Sequence, residues 1–149
     1  MIYYFAYGSN MDQKQMKQRC PGSVFIDSAI LKDYKLAFTI YAPKRHCGAA
    51  DIVNAPGAEV YGLLYTLTVK DLVALDGFEG HPNSYRRFTV RVINTADEKI
   101  SAETYEVVNK ATTHQKPSKD YLGKLITAAK AFNFSEEYTK NISQTETID

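Results

Sequence analysis

The stretch Glu59-Val60-Tyr61-Gly62-Leu63-Leu64-Tyr65-Thr66-Leu67 constrains the fold more than any other. In an extended chain Tyr61, Leu63, Tyr65 and Leu67 point one way, while Val60, Gly62 and Leu64 point the other. A strand that is apolar on both faces must be covered on both. It therefore calls for a closed barrel or a sheet with a helix packed over it. Thr68 with Asp71 three residues on forms a capping box with Asp in place of the usual Glu. The helix it opens carries Val69, Leu72, Val73 and Leu75 at helical period and is expected to stop near Gly77.

The chain begins with a second informative stretch. Ile2 to Tyr7 is almost wholly apolar or aromatic and reads as a buried strand. Gly8-Ser9-Asn10 forms a tight polar turn, and Met11 to Met16 starts a helix, with Ser9 or Asn10 as its expected N-cap. Such a turn presents several backbone N–H groups, with the positive end of a helix behind them, and so attracts an anion or a developing oxyanion. Further on, Cys20-Pro21-Gly22 marks a turn. Residues 24–31 and 35–41 read as two strands joined by Lys32-Asp33-Tyr34, and 42–48 as an exposed loop. Residues 49–53 form a short strand closed by Asn54-Ala55-Pro56-Gly57. Residues 86–93 and 100–108 are expected to pair as a hairpin. Ser118 caps a helix holding Tyr121, Leu122, Leu125, Ile126, Ala129 and Phe132 on one stripe, and a short helix starts at Ser135. The tail, 143–149, is polar and expected to be frayed. One domain over 1–149 follows, of α+β class, with a curved, mainly antiparallel sheet and helices at its margins.

Charge and composition narrow the functional classes. A formal net charge of +1 gives no electrostatic case for nucleic acid or for an anionic membrane surface. No apolar run approaches the roughly 20 residues that span a bilayer. The N-terminus lacks the basic start and small-residue cleavage pattern of a secretory signal, which makes the cytoplasm the expected location. Cys20 and Cys47 are expected as free thiols, and His46, His81 and His114 lack the spacing of a zinc site. Glycine-rich nucleotide loops are absent. A homodimer stays open. Eleven tyrosines without a tryptophan stand out, since tyrosine hydroxyls can line a polar pocket.

Glu79 is the acid singled out for chemistry. It lies between Phe78 and Gly80 in a loop just past a helix. A carboxylate beside an aromatic ring and partly removed from water has its pKa raised, which suits acid/base work near neutral pH. Asp76 competes but suits a polar contact within the loop, and His81 reads as a surface histidine. Ser9 as a nucleophile would lack the second glycine of a nucleophile elbow. Cys47 has no local signature of a nucleophile.

Tyr7-Gly8-Ser9-Asn10 after the first strand, Gly48 to Tyr65, Leu75-Asp76-Gly77-Phe78-Glu79-Gly80 followed by Tyr85, and Pro117-Ser118 with Tyr121 together resemble the gamma-glutamylcyclotransferase-like family. The resemblance spans roughly residues 2 to 132. It implies a small barrel flanked by helices, and cyclisation of a gamma-glutamyl group to 5-oxoproline with release of an amino acid or amine, without cofactor. It also implies Tyr7 to Asn10 as the substrate-binding loop, Glu79 as acid/base, and Tyr85, Tyr105 and Tyr121 as pocket lining. A cyclotransferase for gamma-glutamyl amines or a tagged metabolite, and a non-catalytic small-molecule binding module on the same scaffold, are the alternatives.

Overall fold

The computed structural model describes residues 1–149. Five strands, β1 (Ile2–Ala6), β2 (Val24–Ala42), β3 (Cys47–Leu67), β4 (Tyr85–Asn94) and β5 (Lys99–Val107), close into a barrel in the order β1-β3-β2-β4-β5. All neighbours pair antiparallel except at the closure, where β1 meets β5 in parallel with Tyr4 opposite Glu103. Four helices, α1 (Gln13–Arg19), α2 (Val69–Glu79), α3 (Lys119–Ala131) and α4 (Glu136–Ser143), complete the chain. The expected α+β barrel with marginal helices is what the chain forms.

The doubly apolar stretch 59–67 lies in β3, between β1 on one side and β2 on the other. Val60, Leu63 and Leu64 have no exposed surface, and Tyr65 and Leu67 are buried too. Gly62 is required there by close approach: a Cβ would lie 2.4 Å from the Ala6 carbonyl oxygen and 2.7 Å from the Phe5 ring. Gly48 plays the same part at the other end of β3, where a Cβ would lie 1.7 Å from the Gln115 carbonyl oxygen.

Two segments expected to break the strands do not. Lys32-Asp33-Tyr34 is a bulge inside one continuous β2, with Asp33 at φ 65°. Opposite it, Asn54 pairs with Tyr34 and Glu59 with Lys32, so residues 55–58 loop out of an otherwise continuous β3. The Asp33 carboxylate accepts a hydrogen bond from the Gly57 amide at 2.9 Å, joining the two irregularities. Bulges sharpen twist and bend, which a sheet of few strands needs in order to close. The exposed loop expected at 42–48 shrinks to the turn between these two long strands.

α2 begins as read, with Thr68 Oγ1 accepting from the Asp71 amide and Asp71 Oδ2 from the Thr68 amide. It does not stop at Gly77. It runs on to Glu79 and ends at Gly80, whose left-handed φ of 68° is open to glycine. Leu75 is fully buried and anchors the helix, so truncating it to alanine is expected to cost about 2–5 kcal/mol. α3 is capped by Ser118 Oγ and buries Tyr121, Leu122, Leu125, Ala128 and Ala129. The tail is not frayed. Ile148 donates its amide to the Pro117 carbonyl at 3.0 Å, Asp149 accepts from the Lys119 amide, and Lys116 pairs with Glu146.

Candidate functional site

β1 delivers its chain end to a single 3-10 turn, Ser9–Met11, that precedes α1. The bonds of that turn run from the Met11 amide to the Gly8 carbonyl and from the Asp12 amide to the Ser9 carbonyl, so neither draws on the amides of Gly8, Ser9 or Asn10. The expected N-cap is displaced: Asp12, not Ser9 or Asn10, caps α1 by accepting from the Lys14 amide. The α1 terminus is therefore closed by its own carboxylate. Asn10 is instead a buried hub, donating from Nδ2 to the Tyr4 hydroxyl at 3.0 Å and toward Glu79 Oε1 at 3.5 Å. Its Oδ1 accepts from Gln15 and from Arg19.

Glu79, the last residue of α2, faces this turn across a cavity of about 650 Å³. All eight expected site residues, Tyr7, Gly8, Ser9, Asn10, Glu79, Tyr85, Tyr105 and Tyr121, line that one hollow. Gly8 leaves room there, since its absent side chain would stand 3.4 Å from the Ala50 methyl and 3.5 Å from the Tyr121 hydroxyl. The tyrosines are held by the barrel wall. Tyr7 donates to the Tyr105 carbonyl at 2.7 Å and Tyr85 to the Ala50 carbonyl at 2.7 Å, while Tyr121 accepts from the Ala50 amide at 2.9 Å.

Burial raises the Glu79 carboxyl from its ordinary 4.5 to about 7, with Arg19 and then Arg45 opposing the shift. The same removal from water lifts the hydroxyls of Tyr4, Tyr7, Tyr85 and Tyr105 above the ordinary tyrosine range and pushes Tyr121 up to about 12. The lining thus consists of neutral hydroxyls near pH 7, beside an acid that exchanges a proton readily there.

The competing residues take other places. Asp76 accepts from the Tyr105 hydroxyl at 2.6 Å and from Arg87 Nε at 2.9 Å, side-chain contacts to β5 and β4 in place of the one expected within its own loop. His81 Nδ1 accepts from the Arg87 amide, and Cys47 is buried as a free thiol. His114 contacts the Glu146 carbonyl on the tail, and Ser9 Oγ is engaged by Gln15 and Arg45 rather than by any histidine.

Other contributors to the lining do not show in the sequence. Tyr4 lies on the cavity wall, and its place beside Tyr7 in an aromatic run gave no hint of that. Arg19 and Arg45 also line the hollow, stacked at 5.0 Å on the rings of Phe78 and Tyr121. Arg45 looked like part of an exposed loop because only the β2–β3 pairing turns it inward.

The sequence matches the family described as Gamma-glutamyl cyclotransferase, AIG2-like, over residues 4–123. It is 32% identical to the gamma-glutamylcyclotransferase of Bos taurus, covering 98% of this chain and 79% of that protein. Against the Mus musculus gamma-glutamylcyclotransferase it is 30% identical, over 96% and 78% of the two chains. A solved structure of a gamma-glutamyl cyclotransferase superposes with a TM-score of 0.92 at 29% identity, covering 99% of this chain and 89% of that one. The chain is thus an enzyme belonging to the gamma-glutamyl cyclotransferase, AIG2-like family.

Proposed function

We propose that this enzyme converts a gamma-glutamyl amino acid or amine to 5-oxoproline and the free amine, with Glu79 as acid and base. The observation that carries this reading is the pairing across one cavity of a carboxyl raised to about 7 with the turn Gly8–Asn10, linked through Asn10 Nδ2.

The substrate supplies both reacting groups. Its alpha-nitrogen is the nucleophile and its gamma-carbonyl carbon the electrophile, so the protein has to fold the glutamyl chain and move protons. Folding it into a ring-closing pose makes attack unimolecular, and well-oriented intramolecular reactions reach effective molarities of about 10⁵–10⁸ M. Ionised Glu79 takes a proton from the alpha-ammonium, and the freed amine attacks the gamma-carbon. The carbonyl electron pair moves onto oxygen, and as it returns Glu79 gives its proton to the leaving nitrogen while the bond to that nitrogen breaks. The second proton shed by the alpha-nitrogen follows, so 5-oxoproline forms with one N–H and the amine departs as an ammonium. A pKa near 7 serves both halves of this exchange. Amides of the Gly8–Asn10 turn supply donors for the alpha-carboxylate or the oxyanion, and the tyrosine hydroxyls give the polar lining.

The test is product analysis. Purified protein mixed with gamma-L-glutamyl-L-alanine should release 5-oxoproline and alanine one to one. Hydrolysis to free glutamate, or no reaction, contradicts the reading.

A further inference from the structure

The cavity is unevenly charged. Its lining holds three cations, Arg19, Lys44 and Arg45, against one carboxyl, Glu79, which is only partly ionised near pH 7. None of the three cations makes an ion pair. Elsewhere the chain treats a part-buried guanidinium differently. Arg87 is clasped by Asp76 and Glu103, both at 2.9 Å. Arg45 instead rests on neutral acceptors, Ser9 Oγ at 3.2 Å and Gln15 Oε1 at 3.0 Å, over the Tyr121 ring. A guanidinium half withdrawn from water without a carboxylate partner is available to an anionic ligand, and its planar fork suits a carboxylate.

The reaction proposed above narrows what that anion is. A gamma-glutamyl amine has one ammonium and one carboxylate and is neutral overall. A gamma-glutamyl amino acid has a second carboxylate, on the leaving group, and is a net anion. The glutamyl end must lie where Glu79 reaches its amine, beside the Asn10 hub and the unspent amides of the first turn. Arg45 hangs from the β2–β3 turn with its guanidinium on Ser9 Oγ, on the part of the lining that carries the exposed Tyr41 and Lys44. We infer that Arg45 is a specificity-determining residue that binds the carboxylate of the departing amino acid, with Arg19 and Lys44 adding to the positive field. This assignment rests on the cyclotransferase reading.

The experiment compares gamma-L-glutamyl-L-alanine with gamma-L-glutamylethylamide, which lacks only the leaving-group carboxylate, in the wild-type protein and in Arg45→Gln. Wild-type kcat/KM should favour the dipeptide by about 10–100-fold, the range of a charge-assisted contact. Arg45→Gln should shrink that preference to within about threefold, and Arg45→Lys should restore part of it, with thermal melting confirming the fold of each. Equal wild-type use of both substrates overturns the assignment while leaving the activity intact. So does an equal loss on both in Arg45→Gln, the result expected if Arg45 held the glutamyl carboxylate instead. 5-Oxoproline from neither substrate overturns the cyclotransferase reading, and the assignment falls with it.

Discussion

One hollow of the molecule, about 900 Å³, runs along α4, the tail and the outlooped part of β3; the other, about 650 Å³, lies between the first turn and the end of α2. Both contain carboxylates. In the larger, Glu59 is paired with Lys32 and Glu146 with Lys116, whose ammonium holds the Glu146 carboxyl below its ordinary range. In the smaller, Glu79 has no basic partner in contact and its pKa rises to about 7. Volume does not separate the two sites. A carboxyl drawn out of water with no cation against it does, because that arrangement costs folding free energy and serves a ligand.

The largest expected difference between the hollows is in turnover. Glu79→Gln should lower kcat by about 10²–10⁴-fold, the span of general acid–base catalysis. Glu137→Gln, in the larger cavity, should leave kcat within about twofold. Equal effects, measured as 5-oxoproline release, would break the comparison. Asn10→Ala removes the donor shared by Tyr4 and Glu79 and should lower kcat/KM by about 10–100-fold.

The pH profile sharpens the contrast. If ionised Glu79 is the base, kcat/KM should fall about tenfold for each pH unit below 7, flattening above it. A limb centred near the ordinary 4.5 would contradict the raised pKa. Stability should move in the opposite sense to activity. Glu79 is raised on folding, so between about 4.5 and 7 the folded state holds a proton that the unfolded chain has lost. Its presence therefore weakens the fold as pH rises through that window. Glu79→Gln mimics the protonated form and should be more stable than wild type at pH 8 by about 1–3 kcal/mol. At pH 4 the two should unfold alike, which denaturant titration at both pH values would show.

Much of this arrangement was legible from local pattern. The Tyr7–Asn10 turn and Glu79 stand next to glycines at element ends, where chain direction and side-chain placement are locally determined. The two apolar faces of 59–67 called for cover on both sides, and the family resemblance singled out the barrel. What failed to show were features created by pairing at a distance. Asp33 and Pro56-Gly57 read as strand breaks because bulge residues and turn residues are the same types. Asp12 outcompeted Ser9 and Asn10 as cap because Asn10 is drawn inward to Tyr4 and Arg19. Arg45 could be found only once β2 and β3 were zipped together and their turn brought over Ser9.

The most direct measurement is a carbon-13 NMR titration of the glutamate side-chain carboxyls, with Glu79 assigned through Glu79→Gln. The account predicts a Glu79 midpoint near 7, well above that of Glu146 in the other cavity. A Glu79 midpoint at the ordinary 4.5 would contradict it, because the wall around the acid would then not be keeping its charge from forming.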